Sequence, residues 1–158
     1  MKKALIVLLI SSYMLCGCGI KNNNYYNSDE IIVDQSDHYN YKNRVGEIQE
    51  KKVDLKFEFS GTDTIWTIES EKDRKIECLY NAKIKNGKFK TVIISPDKTI
   101  GSELDGNTDA IIMLQLKAGT NIVKIVGVDC KGELSMSVND DLGGIKIEAN
   151  DNKDFPFD

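Results

Sequence analysis

His38 is the only histidine in the chain. A Ser-His-acid or Cys-His relay needs an imidazole beside its nucleophile, and none is available from Val53 onward. Cys78 and Cys130 stand alone, without the CxxC spacing or the histidine partner that a zinc site uses. Aspartate and glutamate are plentiful, but no pair is singled out for acid–base work on a glycosidic bond. Asp105-Gly106-Asn107-Thr108-Asp109 copies the alternating oxygen ligands that open a calcium loop. The glycine that should follow the third ligand is Ala110 and the closing glutamate is Leu116, so an EF-hand is rejected. Asp105, Asn107 and Asp109 are left as a weak calcium or ligand-binding candidate, weighed against simple turn chemistry. Trp66, the sole tryptophan, has two readings: a core residue, by its alternation with Ile68, or an exposed platform for stacking a sugar. The expectation is a chain that is not an enzyme and has no cofactor other than that calcium candidate.

The N-terminus carries a different chemistry. Met1-Lys2-Lys3 precedes an apolar run, Ala4 to Ile10, which decays at Ser11. This is the layout of an export signal and falls short of the roughly 20 apolar residues needed to span a bilayer. Leu15-Cys16-Gly17-Cys18 then resembles the lipobox of bacterial lipoproteins, in which a small residue precedes the cysteine that is lipidated. Only a thiol is nucleophilic enough to accept a diacylglyceryl group as a thioether, and Gly17 leaves the scissile bond accessible. The reading is a signal peptide over 1–17, lipid (diacylglyceryl, then palmitate-type acyl chains) on Cys18, and residence at the outer face of the cell membrane. Two or three acyl chains anchor stably where one does not. Loss of Lys2 and Lys3 with the signal leaves 19 basic against 25 acidic residues, a formal −6. That sign excludes nucleic acid as a partner, because phosphate backbones repel it.

Residues 18–52 are rich in Asn, Tyr, Asp, Ser and Lys, and read as a lipidated N-terminus followed by a flexible tether. The tyrosines within it, Tyr25, Tyr26, Tyr39 and Tyr41, are an alternative binding strip. Residues 53–148 suffice for one compact domain, and 149–158 form an acidic tail.

From Val53 the sequence alternates. Val53, Leu55, Phe57 and Phe59 share one face with polar residues between them. Further strands are expected at Thr64–Ile68, Ile76–Ile84, Phe89–Ser95, Ile100–Leu104, Ala110–Leu116, Asn121–Asp129, Glu133–Val138 and Ile145–Glu148. Turns are assigned to Gly61-Thr62-Asp63, Asn86-Gly87, Pro96-Asp97, Asp105-Gly106-Asn107, Ala118-Gly119 and Lys131-Gly132, with Asn86-Gly87 the clearest hairpin. The spacing of about ten residues from turn to turn predicts an all-β fold, an antiparallel sandwich of two sheets. Cys78 and Cys130 are then either a disulfide, if their strands are neighbours, or two buried thiols.

Leu116-Lys117-Ala118-Gly119-Thr120-Asn121-Ile122-Val123 resembles the Leu-x-Ala-Gly-x-Asn-x-Ile turn and strand of jelly-roll, galactose-binding-like domains, several carbohydrate-binding modules among them. The stretch from Gly61 through Asp97 is similar to small lipoproteins of low-GC Gram-positive bacteria. These resemblances imply a jelly-roll-like sandwich. Function is expected to follow as a non-catalytic binding module for a glycan or a protein, or else as a structural lipoprotein packing onto an envelope protein complex through an edge strand.

Overall fold

The computed structural model describes residues 23–34, 36–139 and 143–151. Cys18 and the signal residues lie outside the described residues, as do 152–158 of the acidic tail. A 3₁₀ turn, Asn23–Asn27, and one helical turn, Asp29–Ile32, lead into seven strands: β1 His38–Ile48, β2 Lys52–Ser70, β3 Arg74–Ile94, β4 Ile100–Asp105, β5 Thr108–Leu116, β6 Gly119–Val138 and β7 Ile145–Ala149. All pairings are antiparallel. The order is β1-β2-β6-β3-β4, with β5 also on β3 and β7 also on β2. No helix among the described residues is long and apolar enough to cross a membrane.

The expectation of an all-β antiparallel sandwich holds, and its two layers are the two halves of one continuous sheet. Three strands of 19 to 21 residues run through positions where turns were predicted. Asn86-Gly87 closes no hairpin: β3 continues through it, and Lys88–Ile94 pairs with Val128–Ile122 of β6. Gly61-Thr62-Asp63 and Lys131-Gly132 are likewise interior to β2 and β6. Register shifts fall at Phe59/Gly61 in β2 and at Ile84/Asn86/Lys88 in β3, facing the stretch of β6 between Gly127 and Gly132. At these bulges the buried side changes parity. In β3 it passes from Ile76, Cys78, Tyr80 and Ala82 to Phe89 and Ile93, and in β6 from Val123 and Ile125 to Cys130, Leu134 and Met136. A bulge adds one residue and bends the strand, turning the pleat over. Both halves bury their side chains in one cluster, so the continuous sheet is folded onto itself around a single core.

Each half has its own edges. The first contains β1, the start of β2, the end of β6, the start of β3, and β5. The second contains β7, the end of β2, the start of β6, the end of β3, and β4.

The tether expectation is corrected over the described residues. β1 pairs with β2 from His38↔Thr62 to Ile48↔Val53. Upstream, Tyr26 and Ile32 are buried on the outer face of the second half, against Val92, Ile94 and Val126. An edge strand and a short cover need few apolar groups, so their composition resembles that of a linker. The tyrosines form no exposed strip: Tyr25 Oη donates to Gly127 O at 2.9 Å, Tyr26 Oη to Asp105 Oδ1 at 2.8 Å and Tyr41 Oη to Asp63 Oδ2 at 2.5 Å. The compact unit therefore extends from Asn23 to Asp151, beyond the 53–148 expected.

Candidate functional site

The residues singled out in the sequence do not converge. Trp66 is fully buried, and its Nε1–H donates to Gln49 O at 2.7 Å. It is a core residue, and the exposed sugar platform is set aside. Asp105 accepts the Tyr26 hydroxyl. Asn107 is taken up by β3: its Oδ1 accepts Ile84 N–H at 2.5 Å and its Nδ2 lies 3.4 Å from Ile84 O. Asp109 sits in β5 opposite Asn81. Among the described residues no three His, Cys, Asp or Glu side chains gather as a ligand set. Cys78 and Cys130 are both buried and free, so the bridge is corrected to two separate thiols. Cys78 pairs with Ile112 and Val138, whereas Cys130 lies against Phe59 at the fold of the sheet. Burial pushes both thiols up to about 12.

The Gly-x-Asn turn is structural, as its composition suggests. Gly119 has φ of +106°, and Asn121, fully buried, accepts Lys117 N–H at 2.9 Å and donates to Lys117 O at 2.8 Å and to Gly119 O at 3.1 Å.

A shallow cleft of about 560 Å³ opens beside the bulges, lined in part by Lys42, Glu58, Ser60, Asp129 and Lys131. Its carboxylates are already engaged, Glu58 by Lys131 and Asp129 by Ser60. Elsewhere in β2 lies a buried polar group that the sequence does not mark. Asp63 is only 3% exposed, and its Oδ1 has no hydrogen-bond partner among the described residues. The cations near it are committed elsewhere: Arg44 to Asp151 at 2.6 Å, and Lys124 to Asp34 O at 2.5 Å and Asp37 at 3.2 Å. Desolvation raises the Asp63 carboxyl to about 6, against the lowering effect of the Tyr41 hydrogen bond. Asp63 lies in a stretch read as a turn, where a carboxylate is unremarkable; no sequence signal marked it.

The surface with the clearest capacity to bind is the β5 edge. β5 pairs only with β3 among the described residues, leaving its other side without a strand. The other three edges are blunted: β1 carries Lys42, Arg44, Glu47 and a register shift, β4 is short with Glu103 and Asp105, and β7 is short with Lys146 and Glu148. These are the devices by which sheets resist edge pairing. β5 is nine residues long without a register shift, and its one charge, Asp109, sits at its N-terminal end. Ala110 to Leu114 is continuously apolar, and the strand contains no Pro, Gly, Lys or Arg. Its outer face presents Ile111, 65% exposed, and Met113, 46%, beside Leu79 of β3, 58%, which stands opposite Ile111. Ser135 and Ser137 of β6 lie alongside, so the three apolar side chains stand above a low polar floor. The apolar run Ile111 to Leu114 is legible in the sequence, but its composition does not say which side of the strand is left without a neighbour.

No protein-family model and no curated protein sequence matches the chain. Among solved structures, the chain is similar to a family 35 carbohydrate binding module from an environmental isolate, at 13% identity and a TM-score of 0.37, over 71% of this chain and 93% of that one. A likeness at that level extends to neither ligand nor site.

Proposed function

We propose that the chain is an extracytoplasmic lipoprotein, anchored at the outer face of the cell membrane through lipid on Cys18, whose β domain is a non-catalytic module binding a protein by strand addition at β5. The observation that carries this reading is the exposed apolar patch of Ile111, Met113 and Leu79 beside the unpaired side of β5, where the other edges among the described residues are short or more heavily charged. Strand addition draws affinity from main-chain hydrogen bonds and specificity from alternate side chains. Burial of Trp66 removes the stacking surface on which a glycan reading rested.

The anchor supports a membrane-proximal placement. Four residues separate Cys18 from Asn23, the start of the 3₁₀ turn, and the five steps between the two span at most about 17 Å. The domain is thereby held close to the head groups instead of being lifted away.

Two measurements test the two halves of the reading. Mass analysis of the chain extracted from membranes should find the diacylglyceryl adduct on Cys18, and Cys18→Ala should release the protein. A photo-crosslinker placed at Met113 in intact cells should capture protein, whereas one at Lys72, exposed on the β2–β3 turn, should not. Equal capture at both positions, or none at Met113, refutes the edge reading.

A further inference from the structure

Resting on the β5 reading, we infer that the strand added at this edge is β5 of a second copy of the same chain, paired antiparallel about a two-fold axis at Met113. The edge is polar along its length in a way that suits itself. Its N-terminal end carries Asp109, whereas Lys117 directly follows its C-terminal end, with Arg74 and Lys75 of β3 standing opposite Leu116 and Gln115. An antiparallel copy therefore sets each acidic end against a basic one, and a parallel copy sets like against like. With the axis at Met113, Asp109 faces the partner's Lys117 on both sides of the pair, and Met113 meets its own counterpart. No like charges oppose each other in this register. Lys117 is available for the contact, since its pair with Asp73 is solvent-exposed.

The apolar patch also becomes continuous, because Leu79, Ile111 and Met113 of each copy lie on the same face of the joined sheet. A two-fold contact of this kind uses one patch twice and closes at two copies. The axis runs normal to the joined sheet. The outer faces covered by Tyr26 and Ile32 thus lie on one side of the pair, from which both N-termini reach the same membrane.

Cross-linking the lipidated chain in its membrane tests this. Met113→Cys should give a disulfide-linked species of twice the mass under mild oxidation, and Lys72→Cys should not; Cys78 and Cys130 are buried and do not contribute. Adding Asp109→Lys, or separately Lys117→Glu, makes both facing pairs repulsive and should lower the yield by roughly tenfold. Mixing the two variants restores opposite charges at both ends of a mixed pair, and should restore the cross-link. Self-pairing is overturned if Met113→Cys yields no more dimer than Lys72→Cys, or if the mixed pair fails to recover. In the first case, photo-capture of a different protein from Met113 leaves strand addition standing and removes only the second copy, whereas no capture removes both.

Discussion

Replacing Asp63 by asparagine should flatten the pH dependence of stability in a defined direction. The folded carboxyl, raised to about 6 by desolvation first, holds its proton well above the 3.8 at which the unfolded chain releases it. Asp63 therefore contributes stability that is complete below about pH 4 and is lost as pH rises through 6. Across the interval between those values, at about 1.4 kcal/mol per pH unit, the loss is about 3 kcal/mol. The group is 3% exposed, so solvent screening takes little from this figure. The asparagine side chain of the variant keeps an acceptor for the Tyr41 hydroxyl and has nothing to ionise. Its amide hydrogens must find partners near the position of the unpaired Oδ1, so the variant's absolute stability at low pH is not the informative quantity. The informative quantity is the difference between the two proteins, which should move by about 3 kcal/mol in favour of Asp63→Asn between pH 4 and pH 8. Urea unfolding followed by far-UV circular dichroism at unit pH steps measures it. Tyr41→Phe removes the hydrogen bond that lowers the Asp63 value, and should shift the midpoint of the wild-type transition upward. A difference that stays constant over the whole range would show that Asp63 ionises as freely when folded as when unfolded, and the reasoning from its burial would fail.

Gly87→Ala should destabilise by about 2 kcal/mol or more in the same urea assay, because φ is +77° and a Cβ would lie 2.4 Å from the backbone oxygens of Val128 and Asp129. A neutral result would mean the β3 bulge adjusts freely. Trp66 emission should be blue-shifted and shielded from iodide until unfolding, and Trp66→Ala should cost about 3–5 kcal/mol; ready quenching in the native protein would place the ring at the surface. Cys78 and Cys130, with thiols near 12, should resist iodoacetamide at pH 8 and react once unfolded; rapid native labelling at either would contradict its burial. A chain beginning at Asp37 should lose about 4 kcal/mol, the contribution expected from burying Tyr26 and Ile32, whereas a chain with a mere tether there would unfold unchanged.

Much of the local structure was legible without coordinates. Alternation from Val53 to Phe59 identified an amphipathic strand, Asp105-Gly106-Asn107 a true turn between β4 and β5, and Gly119 with Asn121 a turn that satisfies its own backbone. These features depend on residues a few positions apart, and side-chain alternation or a positive φ at glycine settles them. The failures share one physical cause. Gly61, Asn86-Gly87 and the Gly127 to Gly132 stretch have the composition of turns, yet each lies at a bulge where a long strand bends and continues. A glycine with positive φ serves a hairpin and a bulge equally well. Which of the two forms depends on whether β6 lies alongside to take up the hydrogen bonds, and that partner is distant in the chain. The same non-local dependence turned a polar tether into an edge strand and cover, buried Trp66 and left Asp63 short of a donor. It also left the apolar run Ile111 to Leu114 at a rim of the sheet. Residue type determined that these strands form, and pairing across distances of tens of residues decided where each ends, what it buries and which edge is left open.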